Sequence, residues 1–219
     1  FRMRLQDYKI GIDIDGVVCD WVTGFGQWNG LTYASGQPVH YDLSDVITPA
    51  SRTQCIRRTH ESPRFWATLP AMPGATSVGD ILRTFQKTCF FTQRSHPSAW
   101  GDTISWLRGQ GKQLGVSLSI PRSSILLQVC LETDKRSFKE KISLIYKYGC
   151  THFIDDQPKV LEAIHEVLPD CKLFLRNMTY NIHADCPVGV RVDSFNEFEA
   201  HLLEEVSIFT QKETIHDMR

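Results

Sequence analysis

The stretch Tyr8-Lys9-Ile10-Gly11-Ile12-Asp13-Ile14-Asp15-Gly16 decides the fold. Residues 8–14 are a short apolar run ending among acids, and Gly16 follows directly, so the segment reads as a buried strand giving way to a loop. Residues two apart on an extended chain share a face, which places Asp13 and Asp15 together while Ile14 turns into the core. Gly16 allows a sharp backbone turn and the close approach of a substrate.

Outward from that strand the chain alternates. Residues 76–86 carry helical spacing through Val78, Ile81, Leu82 and Phe85, and the apolar run 88–92 follows as a strand. The spacing then predicts a helix over 99–108, closed by Gly109 and Gly111, and a strand over 125–131. A helix over 135–148, stopped by Gly149, leads to a strand over 151–154. Residues 158–168 form a helix, 172–175 a strand, and 194–206 a helix opened by a Ser-x-x-Glu capping box at Ser194 and Glu197. Strands too apolar to leave one face wet, alternating with helices, predict an α/β, Rossmann-like parallel sheet covered on both sides. In such a sheet the active site belongs at the C-terminal ends of the strands.

Residues 17–73 break this rhythm: they are rich in Trp, Tyr, Gly and Ser and offer no apolar strand. Too long for a plain loop, they read as a small, mainly helical cap inserted after the first strand. The expected organisation is a catalytic core of 1–16 and 74–207, a cap of 17–73, and a frayed polar tail of 208–219.

Composition narrows the partners. A formal charge of −1, with Lys and Arg spread along the chain, supplies no basic stripe for duplex nucleic acid. The apolar runs are far shorter than a membrane span and no signal core is apparent, so a cytoplasmic location is expected. Cys19, Cys55, Cys89, Cys130, Cys150, Cys171 and Cys186 contain no CxxC pair, which argues against a zinc knuckle or a disulfide framework.

Two acidic clusters, Asp13-Ile14-Asp15-Gly16 and Asp155-Asp156, each sit at the end of an expected strand. Four carboxylates converging on one sheet edge repel one another unless a cation neutralises them, and an all-oxygen set favours Mg²⁺. A solvated-loop or helix-cap role, common for Asp, would suffice for one such pair alone. It accounts poorly for two pairs at strand ends with Thr92 at a third and a lysine soon after a fourth.

Taken in order, Asp13-x-Asp15-Gly-Val-Val, Phe-Phe-Thr92, Lys135 and Ile-Asp155-Asp156 resemble the four motifs of the haloacid dehalogenase-like phosphatases. Within that superfamily the opening Asp-Gly-Val-Val-Cys-Asp-Trp21, the stretch Leu69-Pro-x-Met-Pro-Gly-Ala75 and the cap between the first two motifs resemble the 5'(3')-deoxyribonucleotidase group and its bacterial and phage relatives. Leu175-Arg-Asn-Met-Thr-Tyr-Asn181 and Arg191-Val-Asp-Ser-Phe-Asn-Glu-Phe198 are similar to that group as well. Gln93 and Arg94 after the second motif depart from it, and Lys139 and Lys141 compete with Lys135 for the third-motif role; Lys135 follows its strand most closely, leaving the other two on a solvated helix face.

The resemblance implies a nucleophilic Asp13 that forms an aspartyl-phosphate, and Asp15 as acid and then base. It implies Mg²⁺ held by Asp13, Asp15 through its backbone carbonyl, Asp155 and Asp156, with Thr92, Gln93 and Lys135 on the phosphate oxygens. The implied substrate is a small phosphomonoester, foremost a nucleoside monophosphate, with a sugar phosphate or a polynucleotide phosphate end as the rival and a non-catalytic nucleotide-binding protein as a second. Homodimer formation stays open. Of the cap aromatics Trp21, Phe25, Trp28, Tyr33, Tyr41, Phe65 and Trp66, the expected base-contacting rings are Trp21 and Phe65, with Arg94 beside them.

Overall fold

The computed structural model describes residues 4–62, 64–94, 99–113, 125–129 and 136–217. Six strands, β1 (Ile10–Asp13), β2 (Thr88–Arg94), β3 (Ile125–Val129), β4 (His152–Asp155), β5 (Lys172–Arg176) and β6 (Gly189–Val192), form one sheet in the order β3-β2-β1-β4-β5-β6. All five pairings are parallel. β1 lies at the centre, where the strand order reverses, which is where open α/β sheets build their sites.

Strand alternation sorts the core into two layers. Ile10, Ile12, Phe90, Ile154 and Phe174 join one apolar cluster, whereas Cys89, Phe91, Phe153, Leu173 and Leu175 join the other. The first layer is covered by α3 (Val78–Thr84), α4 (Ala99–Gln113) and α7 (Phe195–Asp217), the second by α5 (Arg136–Tyr148) and α6 (Pro158–Val167). Gly11 belongs to the second face, where a Cβ would run into the ring of Phe153 and the sulfur of Cys150. The glycine thus lets Phe153 and Cys150 close tightly on β1.

The insertion contains α1 (Trp21–Asn29) and α2 (Pro49–Glu61), followed by a 3₁₀ turn at Phe65–Ala67. Asp20 caps α1 by accepting from the backbone N–H of Thr23 at 2.9 Å, and Gly30, left-handed at φ 68°, ends it. Thr48 caps α2 with Pro49 at its first position. Phe25, Leu43, Ile56, Phe65, Trp66 and Leu69 of this segment share a single cluster with Ile10, Ile12 and Phe90 of the sheet.

Four features differ from the expectation. α4 runs through Gly109 and Gly111 to Gln113, and α7 continues to Asp217, where a frayed tail from 208 was expected. β6 was not anticipated: Gly-Val-Arg-Val at a sheet edge has only Val192 fully buried, so it lacks the apolar run of an inner strand. The side chain of Glu197 accepts from Asp193 N–H at 2.7 Å, one residue earlier than a capping box prescribes, while Ser194 accepts from Glu197 N–H at 3.1 Å.

Candidate active site

β1 and β4 end side by side, with Ile12 paired to Ile154, so Asp13 and Asp155 emerge as neighbours. Both fall on the α5 face of their strands, continuing the alternation of Gly11 and Phe153. From α5, Lys141 sends its ammonium between them, with Nζ 2.5 Å from Oδ1 of Asp13 and 2.8 Å from Oδ2 of Asp155. All three residues are buried. Asp155 also accepts from Gln157 N–H at 2.9 Å through its other oxygen.

Lys141 therefore stands where the sequence reading favoured Lys135. Lys135 lies outside the described residues, Lys139 is exposed, and Lys141 is inward rather than on a solvated helix face. Helical periodicity carries the signal: 141 and 145 share a face one turn apart, and Ile145 is fully buried.

Asp156 completes the acidic group. One carboxylate oxygen each from Asp13, Asp155 and Asp156 lies within 4.8 Å of the others. Tyr180 donates its hydroxyl proton to Oδ2 of Asp156, while the buried Oδ1 has no hydrogen-bond partner. Burial, reinforced by Asp155 and Asp13, drives the Asp156 carboxyl well above the usual range. Burial likewise raises Asp13, pushed up to about 8; Lys141 opposes the rise, and Asp155 and Asp15 add to it. Burial works against the Lys141 ammonium, but Asp13 and Asp155 overcome it and raise its pKa.

Asp15 is held differently. The strand ends at Asp13 and Gly16 turns the chain with φ 86°, so Asp15 leaves the period-two pattern. Its carboxylate accepts from the Thr92 hydroxyl at 2.7 Å, from Arg94 Nε at 3.0 Å and from Arg94 Nη2 at 2.7 Å. Thr92 and Arg94 alternate with Phe91 on β2 and so face away from α5. Arg94, 1% exposed, also donates from Nη1 to the Thr103 hydroxyl at 2.6 Å and lies 4.7 Å from the Trp66 ring centroid. It is a buried partner of Asp15 rather than the substrate contact expected of it. Gln93, between them, is exposed.

Of the two rings expected to meet a base, Phe65 is fully buried, packed edge-on against Trp28 and Trp66. It is an interior residue, because the turn that carries it packs against α4 and its ring joins the shared apolar cluster. Trp21 is partly buried and stacks on Phe25 at 4.8 Å between centroids. The aromatics that face the acids are Tyr41 and Tyr180, 5.4 Å apart and edge to face. Burial of its hydroxyl and then the charges of Asp156, Asp15 and Asp13 raise the Tyr41 phenol, although its ring remains exposed. Neither tyrosine stands out by composition; only the fold brings loops 38–43 and 177–181 together, where Thr179 donates to the Pro38 carbonyl at 2.7 Å.

With all four acids ionised, Lys141 and Arg94 neutralise two of the four negative charges. The remaining charge, the all-oxygen donor set and the bare Oδ1 of Asp156 fit a divalent cation of the Mg²⁺ kind.

No family model matches this sequence, and no curated protein matches it. Among solved structures, the chain is similar to one described as a haloacid dehalogenase-like hydrolase from Burkholderia xenovorans LB400, at 12% identity and TM-score 0.53, covering 91% of this chain and 99% of that one. A hydrolase from Pseudomonas syringae aligns at 16% identity and TM-score 0.52 over 90% and 98%. A protein described as a β-phosphoglucomutase from Bacteroides vulgatus aligns at 12% identity and TM-score 0.52 over 92% and 89%. With a parallel sheet centred on β1 and an insertion following it, this chain has the Rossmann-like fold of the haloacid dehalogenase-like hydrolases.

Proposed function

We propose that this protein is a Mg²⁺-dependent phosphomonoester hydrolase that works through an aspartyl-phosphate on Asp13, with nucleoside monophosphates as its substrates. The observation that carries the reading is the placement of Asp13: at the C-terminal end of the central strand, touching Lys141, beside two further acids. A buried carboxylate at the end of the central strand, set next to an ammonium, is a nucleophile's environment.

An oxygen of Asp13 attacks phosphorus, the bond from phosphorus to the ester oxygen breaks, and the alcohol leaves with a proton. Water then cleaves the acyl phosphate, releasing inorganic phosphate and restoring the carboxylate. Lys141 offsets charge at Asp13 and at the phosphoryl oxygens as it develops. A divalent cation held by Asp13, Asp155 and Asp156 would supply charge neutralisation for the phosphate and offset the burial that raises the Asp13 carboxyl. Asp15 is the proposed proton donor and acceptor. Among the described residues Thr92 and Arg94 donate to its carboxylate, and a proton passed to the leaving group would ride on a lone pair that these donors leave free.

The nucleotide preference is supported by the sequence resemblance to the deoxyribonucleotidase group and by the exposed Tyr41 ring at the border of the acids, a surface suited to a sugar or base. A screen of nucleoside, sugar and oligonucleotide phosphates with inorganic phosphate readout tests it. Turnover should be highest on nucleoside monophosphates and vanish in Asp13→Asn. Undiminished phosphate release by that variant would remove Asp13 from the mechanism, and faster turnover of sugar phosphates would reassign the substrate.

A further inference from the structure

The loop after β5 is built around Asp156. Asn181, 2% exposed, donates from Nδ2 to the backbone carbonyls of Asp156 at 2.6 Å and Arg176 at 2.8 Å, and its Oδ1 accepts from Met178 N–H at 2.8 Å. Arg191 on β6 braces the far side, donating to Asn177 Oδ1 at 2.6 Å and to the Asn181 carbonyl at 3.1 Å. That frame aims Tyr180 at Oδ2 of Asp156. On the opposite flank a Cβ on Gly16 would run into the Asp156 carboxyl and lie 2.9 Å from the Tyr180 hydroxyl. Oδ2 is therefore enclosed by a phenol and a bare backbone, which leaves Oδ1 as the oxygen without a partner.

A buried acceptor with no donor is costly unless something outside the protein's own groups completes it. We propose that Tyr180 is a positioning residue: by fixing Oδ2 of Asp156 it presents Oδ1 to a divalent cation shared with Asp13 and Asp155. The inference rests on the metal-dependent reading above and adds to it the group that orients one ligand. The cap braces this arrangement, through the Tyr41 ring against Tyr180 and the bond from Thr179 to Pro38.

The test is Mg²⁺ titration calorimetry on the full chain and on Tyr180→Phe, which keeps the ring and its contact with Tyr41. The expected result is affinity lower by about 10-fold or more, the range seen when partners of metal ligands are removed. The thermal midpoint of the metal-free variant should stay near that of the parent, and turnover should recover as Mg²⁺ is raised. Equal affinity in the two proteins overturns the positioning role while leaving the metal reading intact, and so does a lowered midpoint with unchanged affinity. If the parent itself takes up no Mg²⁺, the metal reading falls and this inference with it.

Discussion

Arg94 grips both carboxylate oxygens of Asp15, Nη2 at 2.7 Å from Oδ1 and Nε at 3.0 Å from Oδ2, from a position with almost no solvent contact. The planar fork matches the carboxylate, and its remaining nitrogen is engaged by Thr103. Removing the guanidinium leaves Asp15 charged beside an apolar gap, so Arg94→Met should lower the unfolding free energy by about 3 kcal/mol, as for other broken buried pairs. The double variant with Asp15→Asn should recover part of the loss. Urea unfolding checks both, and a single variant as stable as the parent would show that the pair carries no net stabilisation.

Lys141 and Lys139 should behave differently. Lys141→Met removes the ammonium between Asp13 and Asp155 and should lower kcat by about 100-fold, the scale for losing one group that stabilises transition-state charge. Lys139→Met, two residues away on the exposed face, should leave turnover unchanged. Steady-state phosphate release on both variants decides between them, and equal losses would mean that the lysines act on helix stability alone.

Phe65 separates a core role from a substrate role. Phe65→Ala opens a cavity where Trp28 and Trp66 meet it and should destabilise the protein by about 3 to 5 kcal/mol. Phe65→Leu, which keeps most of the volume, should leave KM near the parent value. A large rise in KM for the leucine variant, without loss of thermal stability, would return Phe65 to the substrate site.

Acid should weaken a contact far from the acids of the site. Burial alone would raise the Glu205 carboxyl, but hydrogen bonds from His152 at 3.2 Å and Lys172 at 2.8 Å carry it down from 4.5 to about 2. A depressed folded-state pKa gives stabilisation that is full above about 4.5 and lost as pH falls from there toward 2. Glu205→Gln should therefore melt lower than the parent at neutral pH, and the gap should close below pH 4.5. A gap that stays constant to pH 2.5 would mean that the ion pair contributes nothing.

The layering of the fold was legible because it follows from local pattern. Apolar runs at 8–14, 88–92 and 151–154 announce inner strands, and Asp13 and Asp155 fall at their ends by position alone. The destination of side chains across the interior was not legible. Whether Thr92 points to a ligand or to Asp15 depends on the turn at Gly16, and whether Arg94 meets solvent depends on Trp66 folding over it. Tyr180 lies 24 residues from Asp156 along the chain, joined to it only once β5 is laid beside β4. Lys141 was within reach of sequence reasoning, since its spacing from Ile145 marks the buried side of α5, but proximity to the preceding strand favoured Lys135 instead.

The insertion following β1 is not an interchangeable module. Trp106 of α4 donates its indole proton to the Leu69 carbonyl at 2.7 Å, and Phe25, Phe65 and Leu69 occupy the same apolar mass as Ile12 and Phe90. Cutting out residues 21–69 would strip one side of the central strands rather than trim a lid. Chimeras that exchange this segment for another of equal length would have to redesign the sheet face beneath it before any change in selectivity could be read.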